Sequence, residues 1–119
     1  PVNPDSEKAF IIDWQLYGVG FAAEDLSHLI PLFWKREQRQ MMERDLLKRY
    51  HQGLLRHGIH GYDWDDCWED YRLAVVLRVL FMPMWFWVSG SPESLWRGCL
   101  ERAMEALYDL QCLELLETL

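Results

Sequence analysis

The stretch Ala9-Phe10-Ile11-Ile12-Asp13-Trp14-Gln15 decides how this chain is read. Its apolar run predicts a short buried strand, and the strand ends on a carboxylate. Gly18-Val19-Gly20 follows as a loop. A charged group fixed at a strand end beside a flexible loop is a common way to hold a metal ion or a substrate, while a plain strand-end turn aspartate is the competing account. Upstream, Asn3-Pro4-Asp5-Ser6 carries a turn signature. Lys8 to Ile12 then reads as the second strand of a hairpin whose first strand is mostly missing. With no initiator Met either, the expectation is that the sequence begins inside a larger domain.

Beyond the loop the pattern turns helical. Glu24 and Asp25 open a short helix to about Ile30, with acids where the helix dipole favours them and Pro31 expected to end or kink it. A second helix is predicted from about Lys35 to His57, its stripe formed by Met42, Leu46, Tyr50 and Leu54, with Leu47 and Leu55 widening it and Gly58 as the stop. Asp63 is the expected cap of a third helix, which carries Cys67, Trp68, Tyr71, Ala74 and Val75 on one face. That helix is apolar all round from Leu73 to Val88 except for Arg78. Sixteen residues with an internal Arg and Pro83 fall short of the roughly 20 that cross a bilayer, so a buried core helix is expected, kinked or split near Phe81. Ser91-Pro92-Glu93 restarts a helix, and Trp96, Leu100, Ala103, Leu107 and Leu110 extend it to about Leu116. No internal repeat or linker suggests a second domain.

Composition sets further bounds. A chain of 119 residues, half of them hydrophobic, fits one domain with a real core. A net charge of −7 argues against a phosphate-backbone partner, which needs clustered Lys and Arg, and suits a cationic small molecule better. Cys67, Cys99 and Cys112 have no paired spacing and read as reduced core thiols of a cytoplasmic protein. No export signal is visible.

Several groupings have chemical potential. His51, His57, His60 and Cys67 lack any standard zinc spacing and read as solvated or core residues. Asp63, Asp65, Asp66, Glu69 and Asp70 are substrate-side candidates for a cationic ligand, or simply capping and dipole-favourable acids at a helix start. Trp85, Phe86 and Trp87 with Tyr62, Trp64 and Trp68 either surround an ammonium through cation–π contacts or pack a core.

Taken together, Ile11-Ile12-Asp13-Trp14-Gln15, the glycine loop and Glu24-Asp25-Leu26-Ser27-His28-Leu29-Ile30 resemble the C-terminal lobe of the aminoglycoside phosphotransferase and choline kinase-like family. Tyr50-His51, Gly58, Tyr62, Asp70-Tyr71-Arg72 and the terminal helix resemble its helical subdomain. The resemblance implies that Asp13 is the metal-binding aspartate holding Mg²⁺ against ATP phosphates, and that Asp25 braces the backbone of a catalytic loop. That loop, with a His-Gly-Asp-like motif and a following Asn, has no counterpart here, and neither does the lobe bearing the nucleotide-binding lysine. Asn3 is poorly placed for the role.

The fold class implied is mainly α: a short N-terminal β-hairpin remnant followed by four to five helices, a single domain over residues 1–119 that forms the helical C-lobe of a kinase-like phosphotransferase. The function implied is the substrate-side portion of an ATP- and Mg²⁺-dependent enzyme that phosphorylates a small-molecule hydroxyl, inactive on its own. No nucleic acid or membrane partner is expected, and exposed apolar surface offers a route to homo-oligomers. The alternative is a non-catalytic helical interaction domain or pseudokinase-like binding module.

Overall fold

A computed structural model of the chain describes residues 18–20 and 23–118, which form five helices: α1 (Glu24–Phe33), α2 (Arg36–Arg56), α3 (Trp64–Val88), α4 (Glu93–Asp109) and α5 (Cys112–Glu117). The expected strand, its hairpin and Asp13 lie outside the described residues. No strand occurs among those that are described, and the chain is mainly helical.

The helix ends follow local chemistry. Asp63 caps α3 through a capping box: its carboxylate accepts from the Asp66 N–H at 2.9 Å, and the Asp66 carboxylate accepts from the Asp63 N–H at 3.3 Å. Gly58, with φ of 92°, closes α2 by a double turn in which its own N–H reaches the Leu55 carbonyl and the Ile59 N–H reaches that of Leu54. Gly90 closes α3 in the same way, and there the Ser91 N–H is donated to the Phe86 carbonyl at 2.9 Å. In the sequence Ser91-Pro92-Glu93 reads as a cap followed by Pro at the first helical position, and the structure moves that start by one residue. The position before α4 is taken by Pro92, not Ser91, and it makes no side-chain cap.

Neither proline stops its helix. α1 continues through Pro31 to Phe33: the Trp34 N–H still reaches the Ile30 carbonyl at 3.2 Å, and Arg102 of α4 donates to the Leu32 carbonyl at 2.7 Å. α3 is not split at Pro83, because Pro83 is buried and its neighbours Met82 and Phe86 pack on Leu32, Cys99 and Ala103. Conversely, the helix expected to reach Leu116 ends at Asp109. Gln111 turns left-handed there, with φ of 52°, and Arg72 of α3 donates to the carbonyls of Leu110 at 2.8 Å and Gln111 at 2.5 Å before α5 begins.

α3 packs against each of the other four helices. Its predicted face holds: Cys67, Tyr71, Ala74 and Val75 are buried with Ile30, Leu47, Ala106 and Cys112, and Trp68 packs half-buried against them. The face of α2 is the larger correction. Its buried stripe is Arg39, Glu43, Leu47 and His51, while Met42 and Leu55 are exposed and Leu46, Tyr50 and Leu54 are half-buried along its flank. Two charged residues can occupy the core because every polar atom there is answered. Arg39 is only 1% exposed and donates to Glu43 at 3.1 Å and to Asp109 of α4. Glu43 accepts from the Tyr71 hydroxyl at 2.6 Å. Arg36 grips Asp109 with two bonds, at 3.0 and 2.6 Å, and Gln40 adds a third at 3.1 Å. Two cations and two anions balance, tying α2, α3 and α4 together. Burial lifts the Glu43 carboxyl above its ordinary range against the bonds from Tyr71 and Arg39, whereas the Arg36 guanidinium holds Asp109 below it.

The C-terminal half of α3 is not a buried core helix. Among the described residues α1 and α4 cover one of its faces, and Leu77, Phe81, Met84, Trp85, Trp87 and Val88 are exposed. By length and apolar content alone α3 reaches what a bilayer-crossing helix needs, yet one face of its first half packs on the other helices and that half carries Asp65, Asp66, Glu69 and Asp70.

Candidate functional site

The first turn of α1 is where the chain leaves the Gly18–Gly20 loop and where Asp25 sits. Glu24 and Asp25 stand in that turn, favoured by the unpaired N–H groups of the helix start. Glu24 forms an ion pair with Arg78 of α3, both partners being about one-third exposed or less. Arg78 also lies over the Phe81 ring, 5.9 Å from its centre. The pair lines an open cleft of about 350 Å³ with Gly20, Ala74 and Leu77. A Cβ at Gly20 would meet only the end of the Glu24 side chain, whose carboxylate would have to swing aside.

His28, one turn further along α1, faces the same charges. Burial and then Arg78 hold its imidazole below the ordinary value, with Asp25 and Glu24 acting in the opposite sense. Ser27 is buried and bonds back to the Glu24 carbonyl at 2.6 Å, stiffening the turn that presents Asp25 to solvent. Arg78 and Glu24 are residues that sequence reasoning passed over. The signal was there for Arg78, the lone charge in an apolar run, but its partner lies 54 positions away.

The other predicted groups fall elsewhere. Asp63 and Asp66 are engaged in the capping box, Asp65 and Glu69 are exposed, and Asp70 accepts the Tyr62 hydroxyl at 2.8 Å. Asp66 and Arg78 are separated by roughly 18 Å along α3, so the acids do not share the cleft. The aromatic group is divided. Tyr62, Trp64 and Trp68 gather with His51, and Trp64 and Trp68 stack with ring centres 5.6 Å apart. Arg44 lies 4.8 Å from the Trp68 ring and Lys48 lies 5.6 Å from that of Trp64, so the chain's own cations use those faces. Trp85 and Trp87 stand about 30 Å away along the helix and join no such cage. Cys67, Cys99 and Cys112 are buried free thiols. Among the described residues, no three His, Cys, Asp or Glu side chains converge on a metal position.

Against known proteins, neither the curated proteins nor the solved structures gave a match. One family matches residues 5–92, a span that includes Asp13, the glycine loop, α1, α2 and all of α3. The chain therefore belongs to the family described as "Uncharacterized oxidoreductase dhs-27", which is associated with the kinase-like, choline kinase-like superfamily.

Proposed function

We propose that this chain is the C-terminal, substrate-side portion of an ATP- and Mg²⁺-dependent small-molecule phosphotransferase that transfers the γ-phosphoryl group to a hydroxyl. The observation that carries the reading is the family match across the whole run from Asp13 through the glycine loop to Asp25 and α1. Asp13 would supply a hard carboxylate oxygen to Mg²⁺. A single protein carboxylate suits that ion, which takes its remaining ligands from phosphates and water. Held there, Mg²⁺ would supply countercharge for the transferred group.

In this reading Asp25 would act as the brace. It is exposed at the start of a helix whose first turn is stiffened by Ser27 and fixed to α3 through Glu24 and Arg78, so its carboxylate is free to accept backbone N–H groups from a neighbouring loop. The acids from Asp63 to Asp70 are left as weaker substrate-side candidates, since Asp63, Asp66 and Asp70 already accept hydrogen bonds within the chain. The catalytic base and the nucleotide lysine have no candidates in this sequence and would be supplied upstream. The family's description names an oxidoreductase, a class whose dinucleotide-dependent members ordinarily use a βαβ unit. The five helices offer none among the described residues.

The test is Asp13→Ala in the full protein. Turnover should vanish while far-UV circular dichroism and melting stay as in the parent; normal turnover would sink the assignment. A second reading, a helical interaction module, is favoured by one observation, the exposed aromatic end of α3. It predicts that activity is absent in the parent as well.

A further inference from the structure

The face of α3 that no other described residue covers is ordered in a way that scattered surface residues are not. Leu77, Phe81, Met84 and Val88 are 55, 46, 54 and 70% exposed and recur at spacings of four, three and four, the period of a helix that lies along another helix. Trp85 widens the stripe, its ring stacked on Phe81 with centres 6.5 Å apart. From residue 76 to residue 88 the only charge is Arg78, which is already paired with Glu24. Two copies laid together would therefore place no like charges on the seam.

Magnitudes separate the occupants. The stripe is roughly 17 Å long, against about 30 Å for a bilayer core, and a net charge of −7 opposes anionic lipid. At about half exposure, five side chains of this size offer on the order of 500 Å² per copy, or about 1,000 Å² for a pair. That sits at the lower limit for a specific protein interface and in the range of weak ones. We infer that two copies of this chain pair across a two-fold axis through the Leu77–Val88 stripe of α3, as a dimer of micromolar affinity. The inference rests on the stripe and is independent of the phosphotransfer reading.

Sedimentation velocity of the 119-residue chain between about 1 and 200 μM tests it. A monomer–dimer equilibrium is expected. Met84→Lys, on the stripe, should weaken pairing at least tenfold with unchanged circular dichroism, whereas Ser94→Lys on the exposed start of α4 should leave it unaltered. Because the three native thiols are buried, Met84→Cys should give a covalent dimer under mild oxidation. A monomer throughout the range, assemblies larger than two, pairing indifferent to Met84→Lys, or cosedimentation with phosphatidylcholine vesicles where the free chain is monomeric would each overturn the proposal.

Discussion

Replacing Arg39 by Met tests whether the charged stripe of α2 is a balanced network or a tolerated defect. Arg39 is 1% exposed and Glu43 4%, so the substitution leaves a carboxylate in the core with the Tyr71 hydroxyl as its remaining partner. Removing one member of a buried ion pair costs about 3–5 kcal/mol, a large share of the 5–15 kcal/mol that holds a domain together. With a urea dependence of about 2 kcal/mol per molar, the unfolding midpoint should fall by roughly 2 M.

The pH dependence identifies the cause. Burial already holds the native Glu43 carboxyl above its ordinary value of 4.5, and losing Arg39 raises it further. A group shifted upward contributes most below its unfolded value and loses that contribution as pH climbs through the native one. The penalty of Arg39→Met should thus be greatest at pH 7 and shrink toward pH 4.5, as Glu43 takes up a proton. Asp109, held low by Arg36, stays ionised in that window, and its own contribution disappears only as pH falls below the ordinary 3.8. Adding Glu43→Gln should recover most of the loss, since the amide oxygen still accepts from Tyr71. A loss under 1 kcal/mol, or one equal at both pH values, would refute the reasoning.

Other perturbations probe separate parts of the molecule. Arg72→Met should free the carbonyls of Leu110 and Gln111, and the amides of α5 should exchange with deuterium far faster than those of α3, at a cost of about 1–3 kcal/mol to the chain. Cys112, whose thiol burial pushes up to about 11, should resist an aromatic disulfide reagent at pH 8 until denaturant exposes all three thiols, and rapid native labelling would contradict its placement. Arg78→Met should move the His28 titration upward, because a cation that opposes protonation is gone while Asp25 and Glu24 remain; proton NMR that shows no upward movement would contradict the described cleft. In the parent chain His28 contributes to stability above its ordinary 6.5, and that contribution is lost as pH falls through the lowered native value.

What the sequence made legible follows the reach of the interactions involved. Asp63 and Gly58 mark helix ends through bonds within four or five positions, and both helices were found within a residue or two. The end of α4 was missed because nothing local encodes it: a left-handed Gln111 is held by Arg72, 39 positions earlier. The core face of α2 was misplaced by one residue for a related reason. Apolar periodicity cannot see that Arg39 and Glu43 pair with each other and find further partners in Asp109 and Tyr71, which belong to other helices. For the site, Asp25 was legible as an acid opening a helix. The Glu24–Arg78 pair beside it was not, and neither was the bareness of the outer face of α3, since apolarity alone does not say what covers it.

These long-range contacts share a single chemistry, and it bears on how a site could be held. Arginines from one helix repeatedly fasten the end of another: Arg72 of α3 on the end of α4, Arg102 of α4 on the end of α1, and Arg78 of α3 on the acid that opens α1. α1 is therefore gripped at both ends by helices that the Arg39 network has already joined. A short helix of ten residues has little stability of its own, so its position is set by those grips. The consequence for Asp25 is that its carboxylate is presented from a turn whose place is fixed by the fold's interior, which is the requirement for a residue that acts by orienting another segment.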